Sequence, residues 1–173
     1  PNACVIVEQK PTFISIHELL RISAEKTKEL LKRELEIKLA ELQEKWHYTS
    51  LEKIFFEEKI YKELEKRYAT WEKVLDGITE AFKPFRKQLR RDITREDIVK
   101  LTEKPVRRIY KLDIEELDAQ IKGLDKEIKQ VKHDLNNLVD FAVAYYENLL
   151  QKYGKGRERK TEIKLFEAIQ AKQ

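Results

Sequence analysis

Three histidines, His17, His47 and His133, are the side chains here best suited to hold a metal or move a proton near neutral pH. None has a Cys, Asp or Glu at a metal-ligand spacing such as a His-Glu-x-x-His pair. They therefore read as surface or helix-tip residues, and no metal site is expected. Nucleophilic chemistry has no better footing, because the chain contains no glycine-rich phosphate loop and no Gly-x-Ser-x-Gly elbow. Its many glutamates fall at helix-surface positions, where solvated salt bridges to lysine are the default. Cys4, the one cysteine, cannot form an internal disulfide and reads as a small strand hydrophobe in a reducing compartment. No catalytic residue is expected in this chain.

Basic charge is the remaining chemistry. It gathers at Arg86-Lys87 with Arg90-Arg91, at Arg107-Arg108 with Lys111, and from Lys152 to Lys160. The first two groups read as a solvated face ahead of a DNA contact, whereas for the third the two readings balance. With 36 Lys and Arg against 32 Asp and Glu, the net charge is only +4. Contact with nucleic acid is permitted by such a surface and not demanded by it.

The elements that would position these groups follow from composition. Charged residues make up 39% of the 173-residue chain, well above the roughly 25% usual for globular domains. A high ratio of surface to core is implied. Seven Phe, seven Tyr and two Trp, with many Leu and Ile, supply enough apolar surface to keep the chain out of the disordered class. Only four Gly and four Pro punctuate it, which leaves room for long helices and little for a many-turned β fold, so the class is mainly α. The longest apolar run, Phe141 to Tyr146, is far below the roughly 18 residues that span a bilayer, and no membrane contact is expected. A strand-like run at the very start and the lack of any Met read as the boundary of a piece of something longer.

Ala3 to Val7 and Thr12 to Ile16 are β-branched and aromatic runs separated by Glu8-Gln9-Lys10-Pro11, which predicts a short hairpin over 1–16. Ser15 with Glu18 forms a capping-box pattern that opens a helix. Leu19, Leu20, Thr27, Leu30, Leu31, Leu35, Leu39, Leu42 and Trp46 then recur at threes and fours. They mark one apolar stripe on a first helix over 17–46, about 30 residues or roughly 45 Å long. Asp113 with Glu116 opens a second long helix over 113–153. Its Ile114, Leu117, Ile121, Leu124, Ile128, Val131, Leu135, Leu138, Ala142, Tyr145 and Leu149 follow at alternating steps of three and four. Leaving each Leu or Ile of that seam unburied would forgo roughly 1.5–3 kcal/mol, so a partner helix must cover it. The first helix, running antiparallel, is the natural partner, with a stutter expected around Leu31, Leu35 and Leu39.

Between the two lies a helical tip over 47–112. Thr49 with Glu52 is expected to open a helix carrying Leu51, Ile54, Phe55, Ile60, Tyr61 and Leu64. Thr70 opens another carrying Trp71, Val74, Leu75, Ile78 and Phe82, and Thr94 with Asp97 opens a third that stops before Pro105. The doublet Phe55-Phe56 would put large apolar groups on two faces of one helix, one of them toward another subunit. After Leu149, Gly154 is a candidate left-handed helix stop. The stretch 154–173 reads as a basic return segment.

Three runs resemble a known family. They are Lys10 to Leu20, Arg107-Arg108-Ile109-Tyr110-Lys111-Leu112 with the heptad helix behind it, and Tyr153-Gly154-Lys155-Gly156-Arg157-Glu158-Arg159-Lys160-Thr161-Glu162-Ile163. Together they resemble the A subunits of bacterial type IIA DNA topoisomerases, DNA gyrase and topoisomerase IV, over essentially the whole chain. The stretch from Tyr68 to Asp92 departs from that pattern, and Pro105 sits where a helix would otherwise continue.

The resemblance implies a long antiparallel two-helix coiled coil capped by a small helical tip domain, with the hairpin at its base ending the tower region. Two such arms would descend from the DNA-cleaving core of a homodimer and meet at their tips, closing an exit gate for the passed duplex. Leu51, Ile54, Phe55, Tyr61, Val106, Ile109, Tyr110 and Leu112 would form that contact, unless their apolar groups merely fill the tip. Lys155, Arg157, Arg159 and Lys160 would touch double-stranded DNA, or would flank a strand that rejoins the hairpin. The whole enzyme would be a cytoplasmic, nucleoid-associated, ATP-dependent isomerase working with a B subunit. Its catalytic residues, ATP and magnesium would lie outside this stretch. A free-standing coiled-coil interaction module and a nucleic-acid-gripping helical hairpin are the alternatives.

Overall fold

The computed structural model describes residues 3–7, 9–103, 114–158 and 160–161. Strands β1 (Ala3–Val7) and β2 (Lys10–Ile14) form an antiparallel pair in which Cys4 faces Phe13 and Ile6 faces Pro11. The second strand begins two residues before its aromatic run, taking in a proline that a strand free of a further neighbour tolerates. Gln9 turns the chain with φ 65. Cys4, Ile6, Pro11 and Phe13 share one exposed face, while Val5, Val7, Thr12 and Ile14 are half-buried on the other.

Helix α1 runs from Ile16 to Glu57, eleven residues beyond the expected end at Trp46. The Ser15 hydroxyl accepts from the Glu18 amide at 3.2 Å as expected, but the Glu18 carboxylate turns to Arg21 at 2.7 Å instead of back to the cap. Thr49 opens nothing. Its hydroxyl donates to the Lys45 carbonyl at 2.8 Å inside the continuing helix, a back-bond that hydroxyl side chains make in helix interiors. Burial explains why the helix continues there, since Leu51, Ile54, Phe55 and Phe56 all lie in the core. Lys59, left-handed at φ 56, ends the run and leads into a 3-10 helix, Ile60–Glu65. Helix α2 (Trp71–Phe82) starts at Thr70, whose hydroxyl accepts from the Lys73 amide. Helix α3 (Arg95–Thr102) starts at Thr94 with a complete capping box. Helix α4 covers Ile114–Asn136 and α5 covers Leu138–Tyr153.

The chain forms two compact units, Glu29–Asn136 and Pro1–Lys28 with Asn137–Gln173. In the first, α4 lies antiparallel to the later part of α1. Lys53 pairs with Asp118 at 2.8 Å, and further along α4 the side chains Leu124 and Ile128 close on Trp46, flanked by Leu39, Leu42 and Ile121. Leu31, Leu35, Leu117 and Val131 are buried as well. The stripe on α1 is thus narrower than expected, since Leu30 is 65% exposed. The tip core joins Leu51, Ile54, Phe55 and Phe56 of α1 to Ile78 and Phe82 of α2 and Ile98 and Leu101 of α3. Both phenylalanines of the doublet are buried in this core, so neither face is offered outward. The local packing includes Phe55 stacked on Phe82 at 6.3 Å.

The expected single helix over 113–153 is broken. Asn137 leaves the helical region at φ −115, ψ 47. Two consecutive asparagines, whose short amides compete with the backbone for hydrogen bonds, account for the break. In the second unit no described residue of α5 is fully buried. Val139, Val143, Tyr146, Leu150 and Tyr153 stand exposed at steps of four and three, and Leu20 of α1 is 62% exposed. Gly154, expected to be left-handed, sits at φ −71 with its amide bonded to the Leu150 carbonyl at 2.8 Å. The helix takes one further bond, and the left-handed residue is Gly156 at φ 82.

Candidate gate surface and an arginine joint

The expected contact residues of the tip divide sharply. Leu51, Ile54 and Phe55 are 0%, 5% and 1% exposed, because helical spacing on α1 points them at α2 and α3. Side chains so enclosed have no surface left for a second subunit, and these three instead build the tip. Tyr61 is half-buried against the same core, its ring edge-on to Phe55 at 6.4 Å. Val106, Ile109, Tyr110 and Leu112 lie outside the described residues, as do Arg107, Arg108 and Lys111. Trp71, placed on an apolar stripe by its spacing, stands 55% exposed at the start of α2. Arg95 approaches Glu72 and Asp76 of that helix at 3.9 and 3.8 Å.

Of the basic return segment, Lys155, Arg157 and Lys160 are exposed, and Arg159 lies outside the described residues. The Gly156 amide donates to the Glu158 carboxylate at 3.0 Å, which holds that carboxyl below its ordinary range. The local surface is therefore of mixed charge.

Arg90 and Arg91 are partly exposed, and both are engaged by side chains of other helices. Arg91 donates Nε and Nη2 to Glu44 of α1 at 2.9 and 2.8 Å, and Nη1 and Nη2 to Asp97 of α3 at 2.7 and 3.0 Å. Arg90 lies over the Trp46 ring at 4.1 Å to its centroid and forms an ion pair with Asp125 of α4. Burial alone would raise the Asp97 carboxyl, but hydrogen bonds from Arg91, the Thr94 amide and the Thr94 hydroxyl more than reverse that and hold it far below the usual range. The two carboxylates in turn raise Arg91 above its already high value.

His47, expected at the surface or in the tip, is 1% exposed. Its Nε2 lies 3.6 Å from Asp97, and neither ring nitrogen has a hydrogen-bond partner among the described residues. Burial first, and the Arg91 charge second, push it below its ordinary value. Sequence patterns missed this network because its members lie far apart along the chain. One weak signal was available: Trp46 ends an apolar stripe, and a buried indole beside a seam attracts a guanidinium.

Among the described residues no group of three or more His, Cys, Asp or Glu could hold a metal ion, and no helix is long and apolar enough to cross a membrane. Antiparallel helices joined along a seam and closed by a small aromatic core define a mainly α protein with a helical seam and tip. The family model for the A subunit of DNA gyrase/topoisomerase IV matches residues 1–149, and the chain belongs to that family. It is 31% identical over 172 residues to the A subunit of DNA topoisomerase 4 from Borreliella burgdorferi, a match covering 99% of this chain and 27% of that one. The chain therefore spans about a quarter of the length of this curated relative. No solved structure matches it.

Proposed function

We propose that this chain supplies an arm and the exit gate of a type IIA topoisomerase, the enzyme that passes one duplex through a transient break in another, as part of its A subunit. The antiparallel seam of Trp46 with Leu124 and Ile128, ending in a separately packed tip, is the observation that carries this reading. Stiffness is the useful property, because a rigid lever converts motion at one end into opening or holding at the other. An exit gate must be closed by default and reversible, which favours a modest apolar contact.

With Leu51, Ile54 and Phe55 committed to the core, the opposing tip of the homodimer is met by Val106, Ile109, Tyr110 and Leu112, by Tyr61, and by the exposed indole of Trp71. Aromatic anchors of this kind carry most of the affinity in small interfaces. Lys155, Arg157, Arg159 and Lys160 touch duplex phosphate. ATP, magnesium and the B subunit complete a cytoplasmic, ATP-dependent isomerase whose cofactors bind elsewhere.

The test is made in the full-length protein. Tyr110→Asp with Trp71→Ala should weaken tip closure, seen as loss of disulfide capture between cysteines placed on opposing tips, with impaired strand passage when ATP and the B subunit are added. Unchanged capture would sink the gate reading, as would a monomer that prefers structured RNA to duplex DNA.

A further inference from the structure

Two neighbouring arginines tie three helices together at one level of the seam. Arg90 reaches both members of the seam, with its guanidinium over Trp46 of α1 and its ion pair to Asp125 of α4. Arg91 reaches α1 through Glu44 and α3 through Asp97. We propose that Arg90-Arg91 is a coupling joint, positioning residues through which the relative position of α1 and α4 is communicated to α3 and hence to the tip surface.

The geometry requires the coupling in three steps. A planar guanidinium that stacks on one helix and pairs with another fits only one separation and one axial offset of the two. If α4 slides along α1 by a single turn, about 5.4 Å, Asp125 leaves hydrogen-bond range of an arginine still stacked on Trp46. Keeping the pair then requires the backbone at Arg90 to follow α4. Consecutive Cα atoms are about 3.8 Å apart, so such a shift pulls Arg91 against its Glu44 anchor on α1. Arg91 is in turn fixed to Asp97, the same carboxylate that closes the capping box with the Thr94 amide at 2.9 Å. The first turn of α3 is thus anchored on a group that senses the seam. Lysine cannot replace either arginine, since it offers a point charge in place of a fork with two faces. The use made of this joint rests on the gate reading above, whereas the coupling itself does not.

Amide hydrogen exchange in the full-length protein tests the joint without recourse to activity. Leu124→Ala loosens the seam, and with both arginines present it should accelerate, by about tenfold, exchange of those α3 amides that open locally rather than by global unfolding. In an Arg90→Ala background the same Leu124→Ala substitution should leave α3 exchange changed by less than about twofold, while amides of α1 and α4 still respond. Should Arg90→Ala fail to fold, Arg90→Lys keeps the charge and is judged by the same comparison. Equal acceleration of α3 in both backgrounds overturns the proposal, and so does a Leu124→Ala substitution that never reaches α3. Strand passage by the same variants then reads the gate separately: a decoupled joint with undiminished passage leaves the coupling standing and removes its use by the gate.

Discussion

Asp97 and His47 lie 3.6 Å apart in the tip and divide its acid sensitivity between two pH ranges. The folded His47 is depressed below its ordinary 6.5. As pH falls below that value the unfolded chain takes up the proton first, so stability declines from about pH 6.5 downward until the folded ring also titrates. Asp97 is depressed below 3.8. Its contribution is complete above that pH and is lost progressively as acid carries the pH from there down to the folded value. Unfolding free energy followed by circular dichroism should therefore fall in two stages, and His47→Leu should abolish the upper stage while leaving the lower. A variant that keeps the decline near pH 6 contradicts this assignment. Asp97→Asn should cost about 1–3 kcal/mol at pH 7, discounted because Arg91 is one-third exposed and keeps Glu44. Gly77 makes a further local test. A Cβ there would lie 2.6 Å from the Tyr68 hydroxyl, which donates to Glu63. The roughly 1 kcal/mol that alanine gains over glycine in a helix should appear for Gly77→Ala only in a Tyr68→Ala background.

For the helices, burial separates residues that look alike in sequence. Leu124→Ala or Ile128→Ala should cost about 2–5 kcal/mol in thermal or denaturant unfolding, whereas Leu20→Ala and Leu150→Ala should stay within about 0.5 kcal/mol. Similar losses at all four positions would show that the exposed leucines are covered. Asn136→Ala with Asn137→Ala should join α4 and α5 and raise helical ellipticity by about one residue per break removed, with no loss of stability. What was legible beforehand follows the range of the interaction. Ser15, Thr70 and Thr94 could be placed as helix starts because a cap is satisfied within three residues. Ile121, Leu124 and Ile128 could be placed on a seam because period alone reveals a face. Thr49 looked like a cap and was not, since the core beneath Leu51 and Phe55 outweighs a local hydroxyl. Arg90 with Asp125 and Arg91 with Glu44 join distant segments, and no local pattern ties an arginine to one carboxylate among many. Leu51, Ile54 and Phe55, given a contact role or else the filling of the tip, are buried in the tip core. An apolar face shows in the period, but whether its cover is the same chain or another does not.

Considered as a whole, the chain divides its labour between a part that closes on itself and a part that leaves apolar groups outward. Ile6, Phe13, Val143 and Leu150 are each more than half exposed in the unit that holds the hairpin and α5. Replacing the exposed cations should test the DNA role of that unit. Lys155→Ala with Arg157→Ala in the full-length protein should lower the salt slope of duplex binding by about two, one for each phosphate no longer neutralised, while leaving tip closure intact. An unchanged slope would assign those residues to the protein surface alone.

The antiparallel run of α1 and α4 also fixes an order of events during synthesis. Lys53 and Asp118 meet across a shorter stretch of chain than the one that Trp46 closes with Leu124 and Ile128. Once the segment between them has collapsed around Phe55 and Phe82, each rung brings the next within reach, so the entropy of closing a long loop is spent a single time. The tip's helices also leave the ribosome before α4 does. Assembly should accordingly nucleate there and zip away from it, giving high φ-values at Ile78 and Phe82 and low ones at Leu31 and Val131.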